Sequence, residues 1–127
     1  MKNPKLVSIL TPTYNRRRFI PQYLHNIKHQ DYKGNIEVII LDDGIDNISD
    51  LIPNDERFKY IKINSKQPIG YKRNFLCHEA RGDILIHMDD DDYYPPQRIS
   101  HAVETLTNAR DEALIAGSSL IYFYDKN

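Results

Sequence analysis

Four consecutive carboxylates, Asp89-Asp90-Asp91-Asp92, make the strongest chemical demand in this sequence. Adjacent carboxylates repel one another, and a folded chain tolerates them best when a hard cation or ordered water neutralises the cluster. Oxygen donors of this kind suit Mg2+ or Mn2+. A solvated acidic loop would also be stable, because negative charge ahead of a helix starting near Pro95 interacts well with the helix dipole. A second acidic pair, Asp42-Asp43, precedes Gly44 and reads either as a ligand pair or as a turn at a strand end. The stretch Pro12-Thr13-Tyr14-Asn15-Arg16 offers an aromatic ring that can lie flat against a nucleobase. Asp43 could then accept from a base N–H. Gly70-Tyr71-Lys72-Arg73-Asn74 places two cations at the opening of a helical segment, which could seat a diphosphate or form a solvated basic turn.

Other candidates are weaker. His25 and His29 have the spacing of a metal pair on a helix, but no third ligand or Glu completes a zinc motif, so they read as surface residues. His87 lies within an apolar run and reads either as a core-edge residue or as one directed to the site. Cys77 is most simply a small core residue.

These clusters need a scaffold that brings them together. Four apolar runs rich in β-branched residues punctuate the chain: Leu6 to Leu10, Ile36 to Leu41, Tyr60 to Ile63 and Ile84 to Met88. Between them lie segments of helical period, with Phe19, Tyr23, Leu24 and Ile27 on one face and Phe75, Leu76 and Ala80 on another. A third helix is expected over Pro95 to Arg110, with Pro in its first turn and Ile99, Val103 and Leu106 inward. Leu114 to Phe123 reads as a fifth strand, buried on both faces. A short helix is possible near Ile48 to Ile52. Alternation of this kind is the pattern of βαβ units, hence an α/β fold with a mostly parallel sheet flanked by helices. In such a sheet the clusters after the first, second and fourth runs emerge on one carboxyl edge, where open α/β folds bind ligands.

With 127 residues, the chain fits a single domain spanning residues 1–127. Its 17 basic and 18 acidic residues nearly cancel, so no global field favours nucleic acid or an anionic membrane. A lone cysteine and the absence of an apolar leader point to a reducing, cytoplasmic setting. No apolar stretch approaches the roughly 20 residues that cross a bilayer.

The ordered set Pro12-Thr13-Tyr14-Asn15-Arg16, Leu41-Asp42-Asp43-Gly44, Gly70-x-x-Arg73-Asn74 and Met88-Asp89-x-Asp91-Asp92 with Pro96 following resembles the GT-A glycosyltransferases of family 2, a Rossmann-like fold. The resemblance covers nearly the whole chain and corresponds to the nucleotide-binding half. It implies that Pro12, Thr13 and Tyr14 support the nucleobase, with Asn15 and Arg16 shaping or touching that pocket. It places Asp43 on the uracil or ribose, and Arg73, with Lys72 beside it, on the base or diphosphate. Counting back from Pro96, Asp89-x-Asp91 is the Asp-x-Asp motif, with Asp91 the first metal ligand, Asp89 also at the metal, and Asp89 or Asp90 near the ribose. The implied activity is metal-dependent, inverting transfer from a nucleotide-sugar, most simply a UDP-sugar, to an acceptor hydroxyl.

Relatives draw their general base and acceptor wall from a segment beyond the Asp-x-Asp strand, and no residue here is assigned to that role. The expectation is that a further domain or a partner subunit supplies the acceptor side, or that this side is absent. Two other classes compete. One is a non-catalytic nucleotide or nucleotide-sugar binding module. The other is a sugar-phosphate nucleotidyltransferase, which usually opens with a Gly-rich basic loop that Pro12 to Arg16 does not provide.

Overall fold

The computed structural model describes residues 3–109 and 113–119. Four strands form one sheet: β1 (Val7–Thr13), β2 (Ile36–Asp42), β3 (Phe58–Lys62) and β4 (Ile84–His87). Their order is β3-β2-β1-β4 and every pairing is parallel. Three helices accompany them: α1 (Ile20–Lys28), α2 (Ile69–Glu79) and α3 (Arg98–Thr107). The expected parallel α/β sheet is therefore present.

The central strand β1 is buried along its whole length, with Val7 and Ile9 on one face and Leu10 on the other. The first face packs with Val38, Ile40, Ile84, Ile86 and Met88 against Ile20, Tyr23 and Ile27 of α1 and Ile99, Ala102 and Val103 of α3. The opposite face is smaller: Leu10, Ile39 and Leu41 meet Leu76 of α2, with Cys77 partly buried beside them as expected of a small core residue. Side chains alternate across a strand, so two helices on one face and one on the other explain both clusters. β4 shows the imbalance directly, because Ile84 and Ile86 are buried while Leu85 and His87 are exposed.

Several boundaries differ from those expected. Phe19 is not on α1; a 3-10 turn over Arg17–Phe19 precedes the helix and shifts its phase, so Ile20 takes the inward place. Phe19 instead lies under the guanidinium groups of Arg16 and Arg18, at 5.2 and 4.7 Å. The third helix begins at Arg98 rather than Pro95, since the residue before a proline is disfavoured in the α region and Pro95 is followed by Pro96. The turn near Ile48 to Ile52 is a single 3-10 turn at Ser49–Leu51. The expected fifth strand fails over residues 113–119, which form no strand and leave Leu114 and Ile115 about 90% and 89% exposed. Gly117-Ser118-Ser119 interrupts that run with residues of low strand preference, and residues 120–123 lie outside the described residues.

Candidate functional site at the carboxyl edge of the sheet

In the parallel register Thr13 lies opposite Asp42, so the loops leaving β1 and β2 start side by side. Asn15 adopts a left-handed φ of 50°, a conformation that asparagine tolerates better than most residues. Its Oδ1 accepts from the N–H groups of Ile45 and Asp46 at 2.8 and 3.1 Å. A Cβ on Gly44 would fall 2.6 Å from both the backbone N and the Oδ1 of Asn15, so the two loops interlock only because residue 44 has no side chain. Arg17 completes the fastening, with hydrogen bonds of 2.8–3.0 Å to Asp46, Asp50 and the Asn47 carbonyl.

Asp42 and Asp43 divide their work. Asp42 accepts from the Gly44 N–H at 2.8 Å and from the Tyr60 hydroxyl at 2.5 Å, which is the turn-forming role. Asp43 is buried, and both of its oxygens accept: Oδ1 from the Lys72 ammonium and Oδ2 from the Gln67 N–H, each at 2.7 Å. Burial by itself would push this carboxyl upward, but the Gln67 N–H and the Lys72 charge outweigh it and hold Asp43 below the usual carboxylate range. Lys72 is buried too and also donates to the Thr13 carbonyl at 3.2 Å. It is therefore a buried tie between two loops rather than an exposed cation.

The acidic run hangs from backbone anchors. Thr11 Oγ1 donates to the Met88 carbonyl at 2.7 Å, Asn26 Nδ2 to the Asp92 carbonyl at 3.1 Å, and Gln30 Nε2 to the Pro95 carbonyl at 2.9 Å. The Asp31 N–H reaches the Pro96 carbonyl at 2.9 Å. Gln30 Oε1 meanwhile accepts from Ile99 N–H at 3.0 Å, capping an otherwise unpaired donor in the first turn of α3. The Tyr94 hydroxyl accepts from the Asp89 N–H at 2.8 Å, and burial pushes that phenol up to about 12.

Within the run the four carboxylates have different surroundings. Asp90 is buried and accepts from Thr13 Oγ1 at 2.7 Å; burial first, then the neighbouring charges of Asp91 and Asp89, raises its pKa against the Thr13 hydrogen bond. Asp92 is raised for the same first reason and by the same neighbours. Asp91 and Asp89 reach outward. Arg16 stands 3.5 Å from Asp91 and Arg73 stands 3.7 Å from Asp89.

Thr13, Arg16, Asp43, Lys72, Arg73 and Asp89 to Asp91 are thus brought to one edge of the sheet. Pro12 is placed differently: it is buried inside β1, opposite Leu41. Tyr14 is half-buried, and one face of its ring carries the Lys66 ammonium 4.6 Å from the centroid. Lys66, Gln67, Tyr60, Asn26 and Gln30 were not legible as site-shaping residues, since none sits in a cluster of like chemistry; Arg17 does sit in one, Arg16-Arg17-Arg18, but nothing in that run tells the fastening arginine from its neighbours. His87 is exposed at the end of β4, held below its ordinary pKa first by partial burial and then by the Arg73 charge. His25 and His29 are exposed, as expected, with ring centroids 4.0 Å apart.

The donor set bears on the metal. Among the described residues no group of three or more His, Cys, Asp or Glu converges on one point. Two outward carboxylates, Asp89 and Asp91, fit a small hard cation that completes its shell with substrate phosphate oxygens and water. They do not form a closed protein cage.

The sequence profile of glycosyl transferase family 2 matches residues 8–126. The chain belongs to this family. Among curated relatives, the GalNAc(5)-diNAcBac-PP-undecaprenol beta-1,3-glucosyltransferase of Campylobacter jejuni is 35% identical, over 93% of this chain and 39% of that protein. The present chain therefore spans about two-fifths of that relative. Two solved structures share the architecture. The mannosyltransferase PcManGT from Pyrobaculum calidifontis, in complex with GDP-Man and Mn2+, superposes with a TM-score of 0.73 at 23% identity, over 85% of this chain and 34% of that one. Staphylococcus aureus TarS 1-349, in complex with UDP-GlcNAc, gives 0.71 at 24% identity, over 80% of this chain and 31% of that one. The family 2 chain has the GT-A fold. No helix among its described residues is long and apolar enough to cross a membrane.

Proposed function

We propose that this chain is the donor-binding part of a glycosyltransferase that holds a nucleotide-sugar, read as a UDP-sugar, together with Mn2+ or Mg2+. The observation that carries the reading is the convergence of the β1, β2 and β4 ends at one edge, where outward Asp89 and Asp91 face Arg16 and Arg73. In this reading Tyr14 supports the base once the Lys66 chain gives way. Thr13 and Asp90 form the floor beneath the ribose, while Asp43 and Lys72 act mainly by holding the three loops in register. Asp91, with Asp89, holds the metal, and Arg16 and Arg73 face the diphosphate. When bound, a divalent ion supplies Lewis-acid stabilisation of the negative charge on the leaving diphosphate.

UDP rather than GDP rests on the resemblance of the motifs, since the two fold neighbours carry GDP-Man and UDP-GlcNAc respectively. The acceptor-binding wall and the general base are proposed to come from a further domain or subunit. A second reading, a metal-free nucleotide-binding module, draws support from one observation: Asp91 and Asp89 already have guanidinium partners. Titration with UDP, GDP and dTDP, each with and without Mn2+, separates the two. Tightest binding of UDP in the presence of Mn2+ supports the donor-binding role; metal-independent binding supports the module; no binding of any nucleotide refutes both.

A further inference from the structure

We propose that Arg16 and Arg73 are resident counter-ions of the acidic loop, which a divalent cation must displace, and that the released guanidinium groups then take the donor diphosphate. Metal and nucleotide would thereby promote each other's binding. The proposal rests on the donor-binding reading above and concerns how that site loads.

The two arginines approach the loop from different elements, Arg16 from the turn after β1 and Arg73 from α2. Their separations from Asp91 and Asp89, 3.5 and 3.7 Å, exceed hydrogen-bond length. Neither side chain donates a hydrogen bond to the described residues. The paired side chains are 42% and 39% exposed at the first contact and 46% and 39% at the second. Ion pairs this exposed and this long contribute little and exchange readily. Arg17, one residue beyond Arg16, shows what a structural arginine looks like in the same chain: its guanidinium is saturated by Asp46, Asp50 and a carbonyl at 2.8–3.0 Å.

A cation bound through Asp91 and Asp89 repels nearby guanidinium groups and competes with them for the same oxygens. The arginines keep their N–H donors available, in a planar fork that matches phosphate oxygens. A diphosphate arriving with the metal gives the displaced arginines a partner, so each ligand relieves a cost imposed by the other. Linkage then requires the coupling to be reciprocal.

The test is Mn2+ binding, followed by the paramagnetic resonance of free Mn2+, for the full chain and for R16Q/R73Q, each with and without UDP. Circular dichroism checks that the variant is folded. The expected result is that R16Q/R73Q binds Mn2+ alone about five-fold more tightly, as removal of two weak competing pairs implies. Its UDP binding in saturating Mn2+ should weaken, and the mutual enhancement should shrink. R16K/R73K, which keeps the competing charge, should stay within about two-fold of the parent for Mn2+ alone. Unchanged or weaker Mn2+ binding by R16Q/R73Q, in a chain that does bind Mn2+ and UDP, overturns the counter-ion role and leaves the donor-binding reading intact. A parent chain that binds neither Mn2+ nor UDP overturns both.

Discussion

The buried ammonium of Lys72 lies 2.7 Å from Asp43 and 3.2 Å from the Thr13 carbonyl, so one cation from α2 ties the ends of β1 and β2 together. The two paired side chains are 6% and 1% exposed. Removing one member of such a pair leaves an uncompensated charge inside the fold, which costs more than the pair itself contributes.

Lys72→Met is accordingly expected to destabilise the chain by about 3–5 kcal/mol. The double variant K72M/D43N should recover part of that loss, because the remaining group is then neutral. Urea unfolding midpoints of the three proteins check this. A double variant less stable than Lys72→Met alone would contradict it.

Acid should weaken the fold through Glu37 as well as Asp43. Glu37 is buried; burial tends to raise it, but the Arg81 N–H, the Ser8 hydroxyl and the Arg81 side chain together hold it below its ordinary value. A carboxylate with a depressed folded pKa stabilises the protein above its unfolded pKa, and that contribution disappears as pH falls through the folded value. Stability should therefore drop below the ordinary carboxylate range, and Glu37→Gln should flatten that drop while lowering stability near neutrality. Denaturant midpoints between pH 7 and pH 3 show whether the two curves converge.

Gly44→Ala should be poorly tolerated, because the new methyl group meets the Asn15 backbone and side chain at 2.6 Å. The expected cost is about 1–3 kcal/mol, in the range of overpacked sites. Gly70→Ala serves as the control, since nothing lies within 4 Å of a Cβ there. Thermal unfolding of both variants should separate them clearly.

Asp91→Asn tests the metal assignment. Its effect on UDP binding should be about ten-fold or more in Mn2+ and small without the metal, since it removes an outward ligand and no buried contact. Equal losses in both conditions, measured by calorimetry, would place Asp91 in a different role.

Transfer activity by these 127 residues alone should be weak. The acceptor must be oriented and deprotonated opposite the leaving group, and a general base by itself contributes roughly 10² to 10⁴ in rate. Slow, metal-dependent hydrolysis of a UDP-sugar is the expected residual activity. Assays with a panel of UDP-sugars and hydroxylated acceptors decide the matter, and efficient transfer would send the search for a base back into this chain, beginning with Asp92 and with Asp125, which lies outside the described residues.

Much of the site was legible because its parts are local in sequence. Runs such as Ile36 to Leu41 announce a buried strand, and the polar cluster at each strand end inherits its position from parallel pairing. What could not be read were long-range polar contacts made by unremarkable residues. Gln30 and Asn26 look like any exposed amides of a helix, yet they hold the loop after β4 more than sixty residues away. Lys72 read as a surface cation because it opens a helix between Tyr71 and Arg73. Its burial depends on where α2 crosses β1, which no local pattern encodes. Pro12 differs in the opposite sense, since membership of a motif said nothing about how deeply it would be buried within β1.

The anchors on the acidic loop have a common property: Thr11, Asn26, Gln30 and the Asp31 N–H all grip main-chain carbonyls, those of Met88, Asp92, Pro95 and Pro96. A scaffold that holds a loop by its carbonyls is largely blind to the side chains the loop displays. Within it Asp90, held by Thr13, and Tyr94, held by the Asp89 N–H, are fixed by their side chains, but the exposed side chains of Asp91, Asp92 and Tyr93 can be rewritten in charge or size while the suspension points stay where they are. The fold in effect offers an interchangeable cartridge at the carboxyl edge of its sheet, in which new surface chemistry can be tried without re-engineering the frame that carries it.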